Sequence, residues 1–96
     1  KNVIIPKYQE NSTWFGFPVI CKDKKSRVKL IKECTSRGIE CRPIVAGNFT
    51  KNDAIKYFDY EIHNTLKNAD YIHENGLFVG NQNYLMTDAI EKLADL

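Results

Sequence analysis

The chain is expected to fold as a small α+β layer, a mainly antiparallel three-stranded sheet with helices packed on one face. Three observations point there. Short β-branched and aromatic runs at 13–22, 39–45 and 77–79 alternate with longer stretches whose apolar residues recur at helical spacing. Gly38, Gly76 and the pair Gly80-Asn81 stand where one stretch ends and the next begins. Ninety-six residues, 43% hydrophobic and 27% charged, suffice for one core without disulfides or metal, though with little margin.

Residues 1–12 mix a short apolar patch (Val3, Ile4, Ile5) with Pro6 and polar residues, and read as a linker or the tail of a preceding element. The domain proper is expected over 13–96. In 13–22, Phe15, Phe17, Val19 and Cys21 fall on one face of a strand and Trp14 and Ile20 on the other. Pro18 lacks a ladder donor, which places this strand at an edge or at a bulge. Ser26 is positioned to cap a helix in which Val28, Leu30, Ile31 and Cys34 form the buried stripe, with Gly38 as its terminator. Its lysines, Lys29 and Lys32, form a solvated face.

A second strand is expected over Ile39–Val45, broken at Ala46-Gly47-Asn48. Thr50 is placed to cap a new helix, with Asp53 in the third position of a capping-box-like arrangement. Ile55 and Phe58 mark its inner side, and 59–68 is too polar and irregular to assign. Asn68 or Asp70 can cap a short helix, Ala69–Asn75, ended by Gly76. Leu77–Val79 then reads as the third strand, and Thr87 as the cap of a last helix facing inward through Ile90, Leu93 and Ala94.

Fourteen basic and twelve acidic residues leave a net charge of +2, which gives no reason to expect nucleic acid or an anionic membrane as a partner. The longest apolar run, 14–21, is too short to span a bilayer, and no signal-peptide layout is present. Cys21, Cys34 and Cys41 are odd in number and lack a C-x-x-C spacing, so reduced, part-buried thiols and a cytoplasmic setting are expected, with no metal site. A chain that opens without Met on an unpatterned dozen residues suggests a piece of something longer.

No metal-hydrolase, nucleophile-elbow or phosphate-loop pattern occurs, and His63 and His73 stand ten residues apart without a paired nucleophile. No catalytic residue is therefore assigned. Leu77-Phe78-Val79-Gly80-Asn81 looks like a signature of RNA-recognition motifs, but it falls at the wrong end of the chain for that fold. The stretch Gly38–Thr50, GIECRPIVAGNFT, is the most informative. It combines a helix stop, a strand, a glycine turn and a helix start, the layout in which backbone amides can meet an anion. Arg42 on that strand can form a bidentate pair with a carboxylate or phosphate, or equally a salt bridge to Glu40's neighbours or a plain surface position. Asn48 either bonds a ligand or serves the turn beside Gly47.

Taken together, WFGFP (14–18), GIECRPIVAGNFT (38–50) and NADYIHENGLFVGN (68–81), followed by a short terminal helix, resemble the C-terminal small domain of the sugar-nucleotide aminotransferase family. These are fold-type I enzymes that use pyridoxal phosphate (PLP). The RPIVAGNF and NGLFVGN forms are most similar to the branch of GDP-4-keto-6-deoxymannose 3-dehydratase and CDP-sugar 3-dehydrase, which serve deoxysugar and O-antigen synthesis. The resemblance implies a large cofactor domain outside this chain, and an intact enzyme that is homodimeric and takes a sugar nucleotide and glutamate. PLP would belong to the intact enzyme and would not bind this piece alone, which is expected to be inactive. Arg42, Asn48 and Phe49 would line the substrate side, while Trp14 and Phe15 would anchor the small domain's own core. The alternatives are a sugar-nucleotide 4-aminotransferase small domain and a stand-alone α+β binding module.

Overall fold

A computed structural model describes residues 3–96. The α+β reading holds, but the antiparallel sheet has four strands, in the order β1-β2-β4-β3. They are β1 (Val3–Ile4), β2 (Gly16–Cys21), β3 (Cys41–Pro43) and β4 (Gly76–Gly80). The additional strand comes from within 1–12. Val3 and Ile4 pair with Cys21 and Ile20, and two residues make too short a pattern to register as a strand. Lys1 and Asn2, part of the expected linker, lie outside the described residues. The pairing of β1 stops at Ile20, so it leaves Pro18 uncovered on that side of β2.

Antiparallel register sorts the sheet into two faces, because successive side chains alternate. Phe17, Val19, Leu77, Val79 and Cys41 share one face. It holds the core: Val19, Leu77 and Val79 are buried, with Leu30, Ile31, Ile39 and Leu93 packed against them. The opposite face carries Pro18, Phe78 and Arg42.

Three α-helices follow the expected pattern with shifted ends: α1 (Lys24–Ser36), α2 (Lys67–Asn75) and α3 (Thr87–Ala94). α1 is capped by Asp23 rather than Ser26. The Asp23 carboxylate accepts the Ser26 N–H at 2.7 Å, and that bond holds its pKa below the ordinary value. Its end is a Schellman motif. Gly38 takes φ +71°, its N–H reaches the Thr35 carbonyl at 3.1 Å, and the Ile39 N–H reaches Cys34 at 2.9 Å. α2 and α3 start without a side-chain cap, so none of Asn68, Asp70 and Thr87 plays the expected part.

Between β3 and α2 the expected helix from Thr50 is replaced by two 3₁₀ turns, Phe49–Lys51 and Asp53–Tyr57. Asn48 caps the first and Asn52 the second, through their side-chain oxygens. Two competing caps four residues apart restart the backbone before an α-turn can propagate.

Long-range polar ties fix the layers. Arg27 of α1 donates from Nε to the Gly76 carbonyl at 2.8 Å, and the Tyr71 hydroxyl lies 3.1 and 3.2 Å from the Cys21 and Lys22 carbonyls. Cys21 and Cys34 are buried and Cys41 half-buried, all as free thiols. Burial, then the Cys41 thiol beside it, pushes Cys34 up to about 12, so it is not a nucleophile at neutral pH. Among the described residues no helix is long and apolar enough to cross a membrane.

Candidate functional site

The three sequence-selected residues lie within eight positions of one another, yet they do different things. Arg42 sits on edge strand β3, opposite Phe78, on the face turned away from the core. Its Nε and Nη2 both donate to a single oxygen of Glu40, at 3.0 and 2.8 Å. Both side chains are largely exposed, so the pair contributes only about 0–1 kcal/mol. An arriving carboxylate or phosphate can therefore replace Glu40 on the guanidinium at little cost. Glu40 stands just before β3 and reaches Arg42 from two positions away.

The surface beside Arg42 is apolar. Phe78 meets the ring of Phe15, centroids 6.0 Å apart, and Phe15 is 84% exposed. The expectation that Phe15 anchors the core is thus corrected, because it precedes β2 and lies against the outer face. Trp14 lies against Phe17, ring centroids 5.7 Å apart, but is not among the residues packed on the buried core. Trp14, Phe15, Pro18, Phe78, Ile44 and Val45 line a shallow groove of about 480 Å³. Gly16 crosses it where a side chain would strike the Phe78 ring.

Asn48 is only 5% exposed, and its polar atoms are engaged inside the chain. Its side-chain amide donates to Asp70 at 2.6 Å, and its oxygen accepts the Thr50 N–H and hydroxyl at 3.1 and 2.7 Å. Its backbone N–H donates to His73 Nδ1 at 3.1 Å. Lys51 completes the cluster, with Asp70 at 3.2 Å and Glu74 at 3.3 Å. The Asn48 amide first, and Lys51 second, hold the Asp70 carboxyl below its ordinary value. Asp70, and then Glu74, raise Lys51 in turn.

Phe49, 42% exposed, stands on the rim of this cluster with its ring 6.3 Å from that of Phe58. Arg42 and Phe49 are therefore at the surface, and Asn48 is beneath it. A second groove, of about 620 Å³, opens between α1, the end of β3 and α2, with Lys24, Arg27, Lys51, His73 and Glu74 on its walls. Ile44 and Val45 line both grooves and form the ridge between them.

Asp70, His73 and Glu74 were not singled out from sequence as a group. Their signal was present: spacings of three and four on one helix place them on a single face. Their partner, a loop about 25 residues earlier, is settled only by tertiary structure. No group of residues that could hold a metal ion occurs among the described residues.

No family model matches the chain. It is 50% identical over 88 residues to GDP-4-keto-6-deoxy-D-mannose 3-dehydratase of Escherichia coli O55:H7, covering 88% of this chain and 23% of the relative. Its identity to the enzyme of the same name from Yersinia pseudotuberculosis is 44%, covering 88% of this chain and 22% of that one. Among solved structures it matches GDP-4-keto-6-deoxymannose 3-dehydratase with a trapped PLP-glutamate geminal diamine at TM-score 0.89 and 45% identity, over 98% of this chain and 25% of that one. A mutant of that enzyme with bound GDP-perosamine matches at TM-score 0.88 and 44% identity, over 98% and 25% of the respective chains. The chain thus spans about a quarter of the length of these relatives, and the family resemblance carried by its motifs is borne out.

Proposed function

We propose that this chain is the small domain of a PLP-dependent sugar-nucleotide enzyme, a GDP-4-keto-6-deoxymannose 3-dehydratase. One observation carries the reading: the fold and 45% of the residues agree along 98% of the chain with a quarter of such an enzyme. The intact enzyme would be a homodimer, with glutamate as amino donor and a nucleotide-linked 4-keto-6-deoxysugar as the molecule that loses its C3 hydroxyl. Free thiols at Cys21, Cys34 and Cys41 fit a reducing, cytoplasmic compartment.

The lysine and the histidine of the cluster are both engaged within the chain. Lys51 is tied to two carboxylates, and His73 Nδ1 is engaged by the Asn48 N–H. On this reading the cofactor belongs to the large domain, and this chain's part is to bind and enclose. Arg42 exchanges Glu40 for an anionic group of the sugar nucleotide or of glutamate, as an exposed and weakly held guanidinium can. Phe49 supplies an apolar wall. Asn48 acts from beneath, by holding the backbone that presents Phe49. The apolar outer face around Phe15, Phe78 and Val45 is the surface that meets the large domain and keeps water out of the pocket between them.

The test is an assay of the full-length enzyme with PLP, glutamate and GDP-4-keto-6-deoxy-D-mannose. A 3-deoxy sugar nucleotide is the expected product. A product that keeps its C3 hydroxyl and gains an amine at C4 would replace this reading with the aminotransferase one. If PLP binds and the substrate is recovered unchanged, neither stands.

A further inference from the structure

We propose that His73 is a positioning residue for the substrate side of the pocket, acting through the Asn48 backbone. The proposal rests on the reading that Arg42 and Phe49 face substrate. His73 Nδ1 lies 3.1 Å from the Asn48 nitrogen, which carries a hydrogen, so Nδ1 is the acceptor and the ring proton sits on Nε2. This bond joins α2 to a loop 25 residues earlier and fixes that loop at its end, directly before Phe49.

The surrounding residues are shaped to allow it. Gly47 takes φ +56°, and a side chain there would run into the His73 ring. Glycine at this position therefore both makes the turn and admits the imidazole against the backbone. On the same face of α2, Asp70 takes the Asn48 side-chain amide and Glu74 joins it in holding Lys51. Three residues of one helix grip three points of one loop, and His73 provides the hold on its backbone. Loss of that hold frees 44–50 to move, and with it the end of β3 at Pro43 and the ring of Phe49.

The experiment compares three substitutions in the full-length enzyme. His73→Asn keeps an acceptor near the position of Nδ1, His73→Leu removes it, and His73→Gln moves it to the far position. His73→Leu and His73→Gln are each expected to raise KM for GDP-4-keto-6-deoxy-D-mannose about tenfold with kcat within about twofold, the pattern of lost binding geometry. Hydrogen exchange in the 44–50 segment should quicken in both. His73→Asn should bring KM back to within about threefold of the parent and restore protection. His73→Gln keeps the comparison available if the leucine variant does not fold. Two results overturn the proposal: faster exchange with KM unchanged, or an asparagine variant as impaired as the other two. Arg42→Ala run in parallel separates the failures. If it raises KM and the His73 variants do not, the positioning role falls and the site reading stands. If none of them raises KM, both fall.

Discussion

At the scale of single residues, Arg42 and Asn48 separate a side chain available to a ligand from one that is not. Arg42→Ala removes an exposed ion pair and should leave the unfolding temperature nearly unchanged. In the full-length enzyme it should raise KM for the sugar nucleotide or for glutamate about tenfold or more. An unchanged KM for both would remove Arg42 from the site. Asn48→Ala strips a cap from the first 3₁₀ turn and leaves Asp70 short of its strongest partner. It should cost about 2 kcal/mol, read as a fall in melting temperature of roughly 10 °C for a chain of this size. Asp70 also sets an acid limb. Its native pKa is lowered, so its contribution is present above the ordinary carboxylate value and is lost as pH falls through the native one. Asp70→Asn should flatten the loss of stability below about pH 4 in an acid titration followed by circular dichroism.

At the scale of elements, two glycines share a left-handed backbone but not their surroundings. Gly38 closes α1 in open space, whereas Gly47 faces the His73 ring. Gly38→Ala should cost about 1 kcal/mol, the conformational penalty alone. Gly47→Ala should cost clearly more and should also displace His73, visible as a shift of its imidazole resonances. The same elements show what sequence could and could not reveal. The body of α1 and the end of α2 at Gly76 were legible, because helical spacing and glycine stops are local signals. β1 was not, since Val3 and Ile4 become a strand only by pairing with β2. After Asn48, Thr50 and Asp53 fit a capping box and predict one α-helix. Asn48 and Asn52 won that competition at closer range. In the site, a surface position for Arg42 was among the readings its sequence left open, but the Asn48–His73 bond depends on how the chain returns.

At the scale of the whole molecule, the buried core is small: Val19, Cys21, Cys34, Leu77 and Val79. Leu77 is fully buried at the centre of the sheet, and Leu77→Ala should cost about 3–5 kcal/mol. For a 96-residue chain that is a large share of the total, so the variant should be mostly unfolded at 37 °C by circular dichroism. Meanwhile the outer face leaves Phe15 and Val45 to solvent. The 96-residue chain on its own should therefore associate as concentration rises, and Phe15→Ser with Val45→Ser should suppress this in sedimentation velocity without lowering the melting temperature.

α2 ends at Asn75 and β4 begins at Gly76, with no residue between them. A side chain at Gly76 would collide with the Ile72 carbonyl and with Ile44, so the joint is packed on both sides. Helix and strand are thus joined without a loop, and any residue larger than glycine at the joint would push them apart. The clasp on the 44–50 loop and Phe78, the residue paired with Arg42, lie on either side of this joint. A larger residue at position 76 would therefore disturb both ends at once, the clasp on the loop and the register that sets Phe78 opposite Arg42.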